Sequence, residues 1–421
     1  MFTDLWRSAP LGALALVWTA GAVQAEPTGV MSLDDALLQA GVADIPVETT
    51  ANPRLIGPKA DVRAAEALVD QARQGPWPEL TFDAENFAGT GAFNGLRATE
   101  YTLGYAQTFE LGGKRDARVG YASANVRTAG LLEEYARAEL ALAVRERYVD
   151  AVAAQAMVRL AGEILDRKAE LARIARVLVE AGREPPLRAM RAEAELADAK
   201  VDLEVAQARS ATAREALGAL MPGPWAGTVP ADFPEIRPPY DLATDYNGLP
   251  LAIAVAESEL ASAAITRETS FRYPDVTVSA GLRHASESNS QAFVLGVSIP
   301  FPFGNRNAGN IAAAQANSDA AHARLRVAEA DYRQAVTETR TDYFASQRRI
   351  EVLEANALPQ AEEALRLVLI GYRYGRFPLI EVLAAGEARD SLLQERIQAY
   401  QERSKAAARL IFLGTPAGEV R

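Results

Sequence analysis

Residues 113–181 run without a proline and are dense in Ala, Leu, Glu and Arg, all strong helix formers. At 1.5 Å per residue, a helix of that length is a rod of roughly 100 Å. No compact domain holds such a rod, so the chain must be elongated. A second run of nearly the same length covers about 305–374 and is interrupted only by Pro359. The two rods belong to one unit written twice. Leu103-Gly104 through Phe109-Glu110-Leu111-Gly112 recurs 192 positions later as Leu295-Gly296 through Phe301-Pro302-Phe303-Gly304. The flanks repeat too, Pro78 with Pro274 at a spacing of 196 and Gly182-Arg183 with Gly375-Arg376 at 193. A near-constant offset across strand-like and helix-like segments points to duplication of a large supersecondary unit.

Each rod ends at a glycine, Gly182 or Gly375, with a proline close behind, the punctuation of a tight helical hairpin. Return helices are predicted over about 186–220 and 379–413, far shorter than the rods beside them. The missing length is expected from the segments before each strand pair, about 58–74 and 250–272, stacked end to end on the return helices. Many apolar residues are small, as at Ala151, Ala153, Ala154 and Ala156, which suits close helix approach as well as helix propensity.

Before each rod the apolar period changes to two. Tyr101, Leu103, Tyr105, Phe109 and Leu111 share one face, opposite Thr102, Gly104, Ala106, Thr108 and Glu110. In the second copy Phe293, Leu295, Val297, Ile299, Phe301 and Phe303 oppose Gly296, Ser298, Pro300 and Pro302. With Leu80-Phe82-Ala84 and Val276-Val278-Leu282 this makes four strands in two hairpins, predicted over about 78–88, 99–111, 274–284 and 291–303. Each is about as long as the 9–11 residues that a tilted strand needs to cross a bilayer, although alternation alone also fits a soluble sheet with one face in a core. Pro300 and Pro302 predict that pairing of the fourth strand fails or bends near the helix. Four strands cannot close a barrel, and unpaired edges are not tolerated in lipid. Several copies must then contribute, and three would supply twelve strands and twelve helical columns.

Composition excludes several function classes. Lys and Arg total 44 against 55 Asp and Glu, and the net charge of −11 leaves no basic surface for nucleic acid. There is no cysteine, hence no disulfide, thiolate metal site, cysteine nucleophile or lipid-modified N-terminal cysteine. The two histidines, His284 and His322, have no second histidine at ligand spacing. Gly112-Gly113-Lys114-Arg115 lacks the leading glycine and the Ser/Thr of a phosphate loop, and reads as a strand-to-helix corner. The chain is not expected to be an enzyme. Residues 1–25, with Arg7 before an apolar stretch and Val23-Gln24-Ala25 at the end, read as an export signal. The divisions that follow are a first repeat over 26–220, a proline-rich strap over 221–247, a second repeat over 248–414 and a tail over 415–421. A short helix is expected after Ser32, and the strap is expected to wrap outside the rods near their middle.

Glu85-Asn86-Phe87 with the Gly-rich loop after it, and Glu110-Leu111-Gly112-Gly113-Lys114-Arg115 at the start of the rod, resemble the outer-membrane factors of the TolC family. The likeness covers essentially the whole mature chain and is strongest to the CzcC-like branch, the outer-membrane components of cobalt-zinc-cadmium efflux systems. It implies a mainly α fold with a membrane β-barrel portion: a homotrimer with a twelve-stranded barrel in outer-membrane lipid, continued by an α-helical tunnel through the periplasm. It further implies export of divalent heavy-metal cations, received from an inner-membrane RND-type pump through a periplasmic adaptor, with no cofactor. The family keeps its gate at the helical tips, and Glu381 falls where TolC-like channels carry an acidic ring. Arg188 is the matching residue of the first tip, and Phe377 against Glu184 is a second difference between the tips. Gly182, Arg183, Gly375 and Arg376 fall where the adaptor is contacted. The residue one turn beyond Glu381 is Ala384, so a double acidic ring is not implied. Two other readings stay open: an outer-membrane factor for drugs or secreted proteins, and a non-conducting periplasmic coiled-coil scaffold.

Overall fold

The computed structural model describes residues 29–42 and 52–418, apart from 224, 226, 239–247, 302, 303, 305 and 306. The expected export signal, the end of the fourth strand at Pro302 and Phe303, and the last three residues of the tail lie outside the described residues.

Two long helical hairpins carry a four-stranded antiparallel sheet at one end. The sheet contains β1 (Glu79–Glu85), β2 (Glu100–Phe109), β3 (Val276–Ala285) and β4 (Ser290–Ser298), in that spatial order. The helices are α1 (Leu33–Gln39), α2 (Pro53–Arg73), α3 (Lys114–Glu180), α4 (Pro186–Gly218), α5 (Leu249–Ser270), α6 (Ala308–Val352), α7 (Leu358–Arg373) and α8 (Leu379–Leu413). Helix α3 alone has 67 residues.

The strands end where the backbone forces them to. β1 stops at Glu85 rather than near 88, because Asn86 and Ala88 adopt left-handed φ of 59° and 57° and start the loop. β4 stops at Ser298, ahead of Pro300, which has no N–H for the ladder. The register joins Phe82 to Leu103, Leu103 to Leu282 and Leu282 to Phe293. One apolar face therefore runs across all four strands, and in the single chain it is open: Leu80, Phe82, Phe293 and Leu295 are among its most exposed side chains.

Paired glycines turn strand into rod. Gly112 and Gly113 both have left-handed φ, and a Cβ on Gly112 would lie 2.4 Å from the Tyr273 ring. Beside them, buried Lys114 donates to Asp275 at 2.7 Å, and Glu110 takes both Arg118 and Arg115. The charges of this motif brace the corner.

Helices α2 and α4 form one column end to end, and α5 and α8 another. At the first joint the Asn52 side chain caps α2 by accepting from the Arg54 N–H at 3.1 Å, and donates to the carbonyls of Ala40 (3.1 Å) and Leu220 (2.9 Å). This cap starts α2 at Pro53, five residues before the sequence-based estimate, and leaves Pro58 inside the helix. At the second joint Leu249 N–H donates to Thr415 O at 3.1 Å, and Tyr332 Oη to Leu413 O at 2.6 Å. A Cβ on Gly248 would meet that Leu413 oxygen at 2.3 Å. The four columns run α2/α4, α3, α5/α8, α6/α7, the order of the strands they feed. Between α6 and α7, a π-helical turn at Leu353–Ala357 absorbs Pro359, whose missing N–H breaks the ladder. Helix α5 is by length and composition apolar enough to cross a membrane. It nonetheless packs along α3 and α6, with Ser258 Oγ 2.8 Å from His322 Nδ1 and Glu259 paired to Arg127 at 2.5 Å.

The core is thin and runs from mid-rod to the tips, where Leu171, Leu365, Tyr372 and Val382 pack together. Ala151, Ala153 and Ala156 of α3 are buried, as are Ala406, Ala407 and Ala408 of α8, so small residues set the close helix spacing. Helix α1, with Ser32 and Asp35 forming a capping box, covers α3 at Leu140, Val144 and Tyr148. Tyr148 donates to Met31 O at 2.9 Å, and burial, helped by the charges of Asp35 and Asp34, pushes its hydroxyl up to about 12. The strap lies across the same level, Phe233 stacking on Tyr400 with ring centres 5.5 Å apart. The accessible surface of 26,688 Å² far exceeds the roughly 16,000 Å² of a compact monomer of this mass.

The joints are the weak points of so thin a core. Asn52→Ala is expected to cost about 0.5–2 kcal/mol through the lost cap, and Gly248→Ala about 1–3 kcal/mol through overpacking. Both should lower the thermal midpoint in detergent, whereas Gly57→Ala, at a helical glycine with open space around it, should not.

Candidate functional site at the helical tips

The two tips opposite the sheet are built alike. After α3, Gly182 (φ +68°) and Arg183 donate to the Val179 and Leu178 carbonyls, both at 2.9 Å. After α7, Gly375 (φ +74°) and Arg376 donate to Tyr372 and Gly371 at 2.9 and 2.8 Å. This is the same Schellman closure twice, and it requires the left-handed residue that glycine supplies. An extended proline then opens each return helix. Pro185 O accepts from Arg188 N–H at 3.0 Å, and Pro378 O from Glu381 N–H at 3.1 Å. Arg188 and Glu381 therefore occupy the same position of the first turn.

Their surroundings differ. Arg188 is neutralised within its own tip by an ion pair to Glu184 four residues before it. Glu381 is exposed and has no cation partner among the described residues. The backbone favours an acid there, because the N-terminal end of a helix carries partial positive charge. Phe377 lies across Gly371, where an added Cβ would come 2.1 Å from its ring, and the ring stays about half exposed at 46%. The tips lie side by side: the Arg183 guanidinium stands 3.9 Å from where a Cβ on Gly375 would be, and the buried Tyr372 ring lies near Glu184 and Arg188. Burial first, and then the Glu184 charge, push the Tyr372 hydroxyl up, while Arg188 opposes them. That hydroxyl has no hydrogen-bond partner among the described residues. The structure thus brings Arg183, Glu184, Arg188 and Gly375 together and leaves Glu381 and Arg376 at the surface.

Sequence reasoning missed what stands behind the tips. A cleft of about 530 Å³ opens between α3, α4, α7 and α8, lined in part by Lys168, Glu195, Ile380 and Glu387. At its wall Arg167 of α3 grips buried Asp390 of α8 with both terminal nitrogens, one at 2.7 Å. Arg389 adds contacts to Asp390 at 3.5 Å and to Glu163 and Glu362 at 4.0 Å. Lys168 pairs with Glu195 at 3.0 Å. Arg167 and Asp390 are 223 residues apart, so no local spacing announces them. Gly371 did leave a signal, as a lone glycine in a run of helix formers.

No group of three or more acids and histidines is arranged to hold a metal among the described residues. His284 sits on β3 between Tyr101 and Gln291, far in the fold from His322 on α6.

Residues 49–223 and 247–414 match the family model described as outer membrane efflux protein. The chain is 29% identical over 383 residues to the cobalt-zinc-cadmium resistance protein CzcC of Cupriavidus metallidurans, covering 89% of this chain and 86% of the relative. It is 32% identical over 327 residues to the nickel-cobalt-cadmium resistance protein NccC of Alcaligenes xylosoxydans xylosoxydans, covering 76% and 71%. Among solved structures, CusC superposes with a TM-score of 0.77 at 16% identity over 99% of each chain. The outer membrane protein VceC of Vibrio cholerae superposes at 0.71 and 22%, over 91% and 96%. With its two repeats, four-column helical body and TolC-like topology, the chain belongs to the outer membrane efflux protein family.

Proposed function

We propose that three copies of this chain form an outer-membrane tunnel through which divalent heavy-metal cations leave the cell, delivered by an inner-membrane RND-type pump through a periplasmic adaptor. The observation that carries the reading is the unfinished sheet. β1 and β4 present unpaired edges, and the columns continuous with them, α2/α4 and α6/α7, are the outer columns of the helical body. Copies meeting edge to edge satisfy both at once. Exposed apolar side chains stand on both outer columns, among them Leu68 and Val201 on one and Val327 and Leu367 on the other.

The strands supply a membrane band of suitable height. Ten residues rise about 33 Å, or roughly 25 Å along the normal at the usual tilt. Exposed Trp77, Phe109, Tyr273 and Phe301 gather near the helix end of the sheet, the level at which aromatic side chains meet headgroups. The helical tips then lie deep in the periplasm. There Glu381, three copies around the axis, offers an acidic ring to a departing cation, with Phe377 and the paired Arg188 beside it as gate elements. Gly182, Arg183, Gly375 and Arg376 form the outermost turns, which the adaptor would touch. The metal class rests on the curated relatives, resistance proteins for cobalt, zinc, cadmium and nickel, and on the acidic balance of the chain.

Purified in detergent, the protein should have about three times the mass of one chain, and a monodisperse monomer would sink the tunnel. Deleting the gene in a strain without a redundant homologue should lower tolerance to cobalt, zinc or cadmium and leave a drug panel unaffected. Unchanged metal tolerance would remove the cation assignment. In planar bilayers, Glu381→Gln should lower the cation-over-anion permeability ratio roughly threefold; an unaltered ratio marks Glu381 as a solvated surface residue.

A further inference from the structure

The register sorts the strand residues into rows that cross all four strands. On the polar face, the row nearest the hairpin loops is Glu85, Glu100, Ala285 and Ser290, and the next is Asp83, Thr102, Arg283 and Ala292. Below them come Thr81, Gly104, Gly281 and Val294, then Glu79, Ala106, Ser279 and Gly296. The loop end of this face is therefore charged, and the middle is lined by small residues. A Cβ on Gly281 would approach the Leu103 carbonyl oxygen to 2.9 Å, so the backbone itself excludes a side chain there.

Arg283 is the only lysine or arginine in the four strands. Its guanidinium lies 3.1 Å from Glu100 and 3.4 Å from Glu85, and its Nε donates to Thr102 Oγ1 at 3.1 Å. One side chain of β3 thus occupies carboxylates of β2 and β1 together. Asp83, on the same row as Arg283 and two strand spacings away, or about 10 Å, has no cation partner among the described residues.

Resting on the channel reading above, in which the polar face lines the lumen, we propose that Arg283 is the specificity-determining residue of the channel's outer mouth. Each copy brings three carboxylates and one guanidinium to the two loop-end rows, so three copies make a band with a net charge of −6. Without the guanidinium the band would be a dense acidic ring, which holds multivalent cations instead of releasing them. Conduction needs attraction strong enough for entry and weak enough for exit. By engaging Glu85 and Glu100, Arg283 leaves Asp83 as the free carboxylate of each copy. The mouth stays cation-preferring and lets its cargo go.

The test uses the full-length protein in planar bilayers, with hexamminecobalt(III) added on the side of the hairpin loops. The loop side is identified as the one from which streptavidin binds a biotinylated Ser288→Cys, an exposed position of the β3–β4 loop in a chain without cysteine. Arg283→Gln should lower the loop-side half-blocking concentration roughly tenfold. Arg283→Lys, which keeps the charge without the planar fork, should remain near the unsubstituted protein, and Asp83→Asn should raise the concentration several-fold. Should Arg283→Gln disturb barrel insertion, the lysine and asparagine variants still decide. Conducting channels whose loop-side block ignores Arg283→Gln and Asp83→Asn overturn the proposal alone, as does Arg283→Lys behaving like Arg283→Gln. If the unsubstituted protein forms no channel, the channel reading falls and this proposal with it.

Discussion

Everything in this chain answers to the requirement that a sheet in lipid satisfy its backbone hydrogen bonds within protein. Four strands meet that requirement on the inside of the sheet and fail it at both edges. Extra copies can complete the ladder only if the helical body below breaks at the same places, and it does. α2 runs into β1, β2 into α3, α5 into β3 and β4 into α6, so strand order and column order coincide. An interface that closes the barrel therefore also closes the tunnel, and the duplication keeps the two in step.

A body of this shape has little interior with which to stabilise itself. The 67-residue α3 has no partner of its own length, and its two sides are covered by helices that meet mid-rod. The joints lie where a single residue does several jobs. Asn52 caps one helix and ties down the ends of two others, and Gly248 lets the end of α8 approach the start of α5. Around this level the chain adds its bulky core, with α1 on Tyr148 and the strap's Phe233 on Tyr400. The thickening sits where both composite columns are interrupted, which is where bending would otherwise concentrate.

The architecture was legible because it is written in periods. Alternation over Tyr101–Leu103–Tyr105 and helix formers over the rods need no long-range information. The tips were legible too, since a Gly followed closely by Pro marks each one. Element ends were less so: the left-handed turns at Asn86 and Ala88 use residues that carry no glycine signal, and the π turn before Pro359 is a repair rather than a pattern. The polar contacts that distinguish this chain were not legible. Arg167 meets Asp390 across 223 residues and Arg283 meets Thr102 across 181, and either arginine reads locally as an ordinary surface cation. The Glu184–Arg188 pair could have been read from its spacing of four, yet its contrast with Glu381, the unpaired acid at the same position of the second tip, emerges only when both tips are compared.

The duplication permits the two copies to diverge in charge while they keep one backbone. Two equivalent copies in each of three chains would make every ring around the axis sixfold. The backbone stays close to that ideal at the tips, with the same Schellman turn and the same proline carbonyl bonded to the same first-turn N–H. The charges do not. At the helical end the first copy carries an internally cancelled pair, and the second carries a free carboxylate. At the strand end the first copy supplies Asp83, Glu85 and Glu100, and the second supplies the arginine that engages two of them. In the proposed trimer each charged ring would then have three positions in place of six, with fewer like charges in the circle and a longer distance between them. Repulsion between like charges falls with separation, so in that trimer divergence of the copies at the two ends would let a duplicated scaffold close around charged residues.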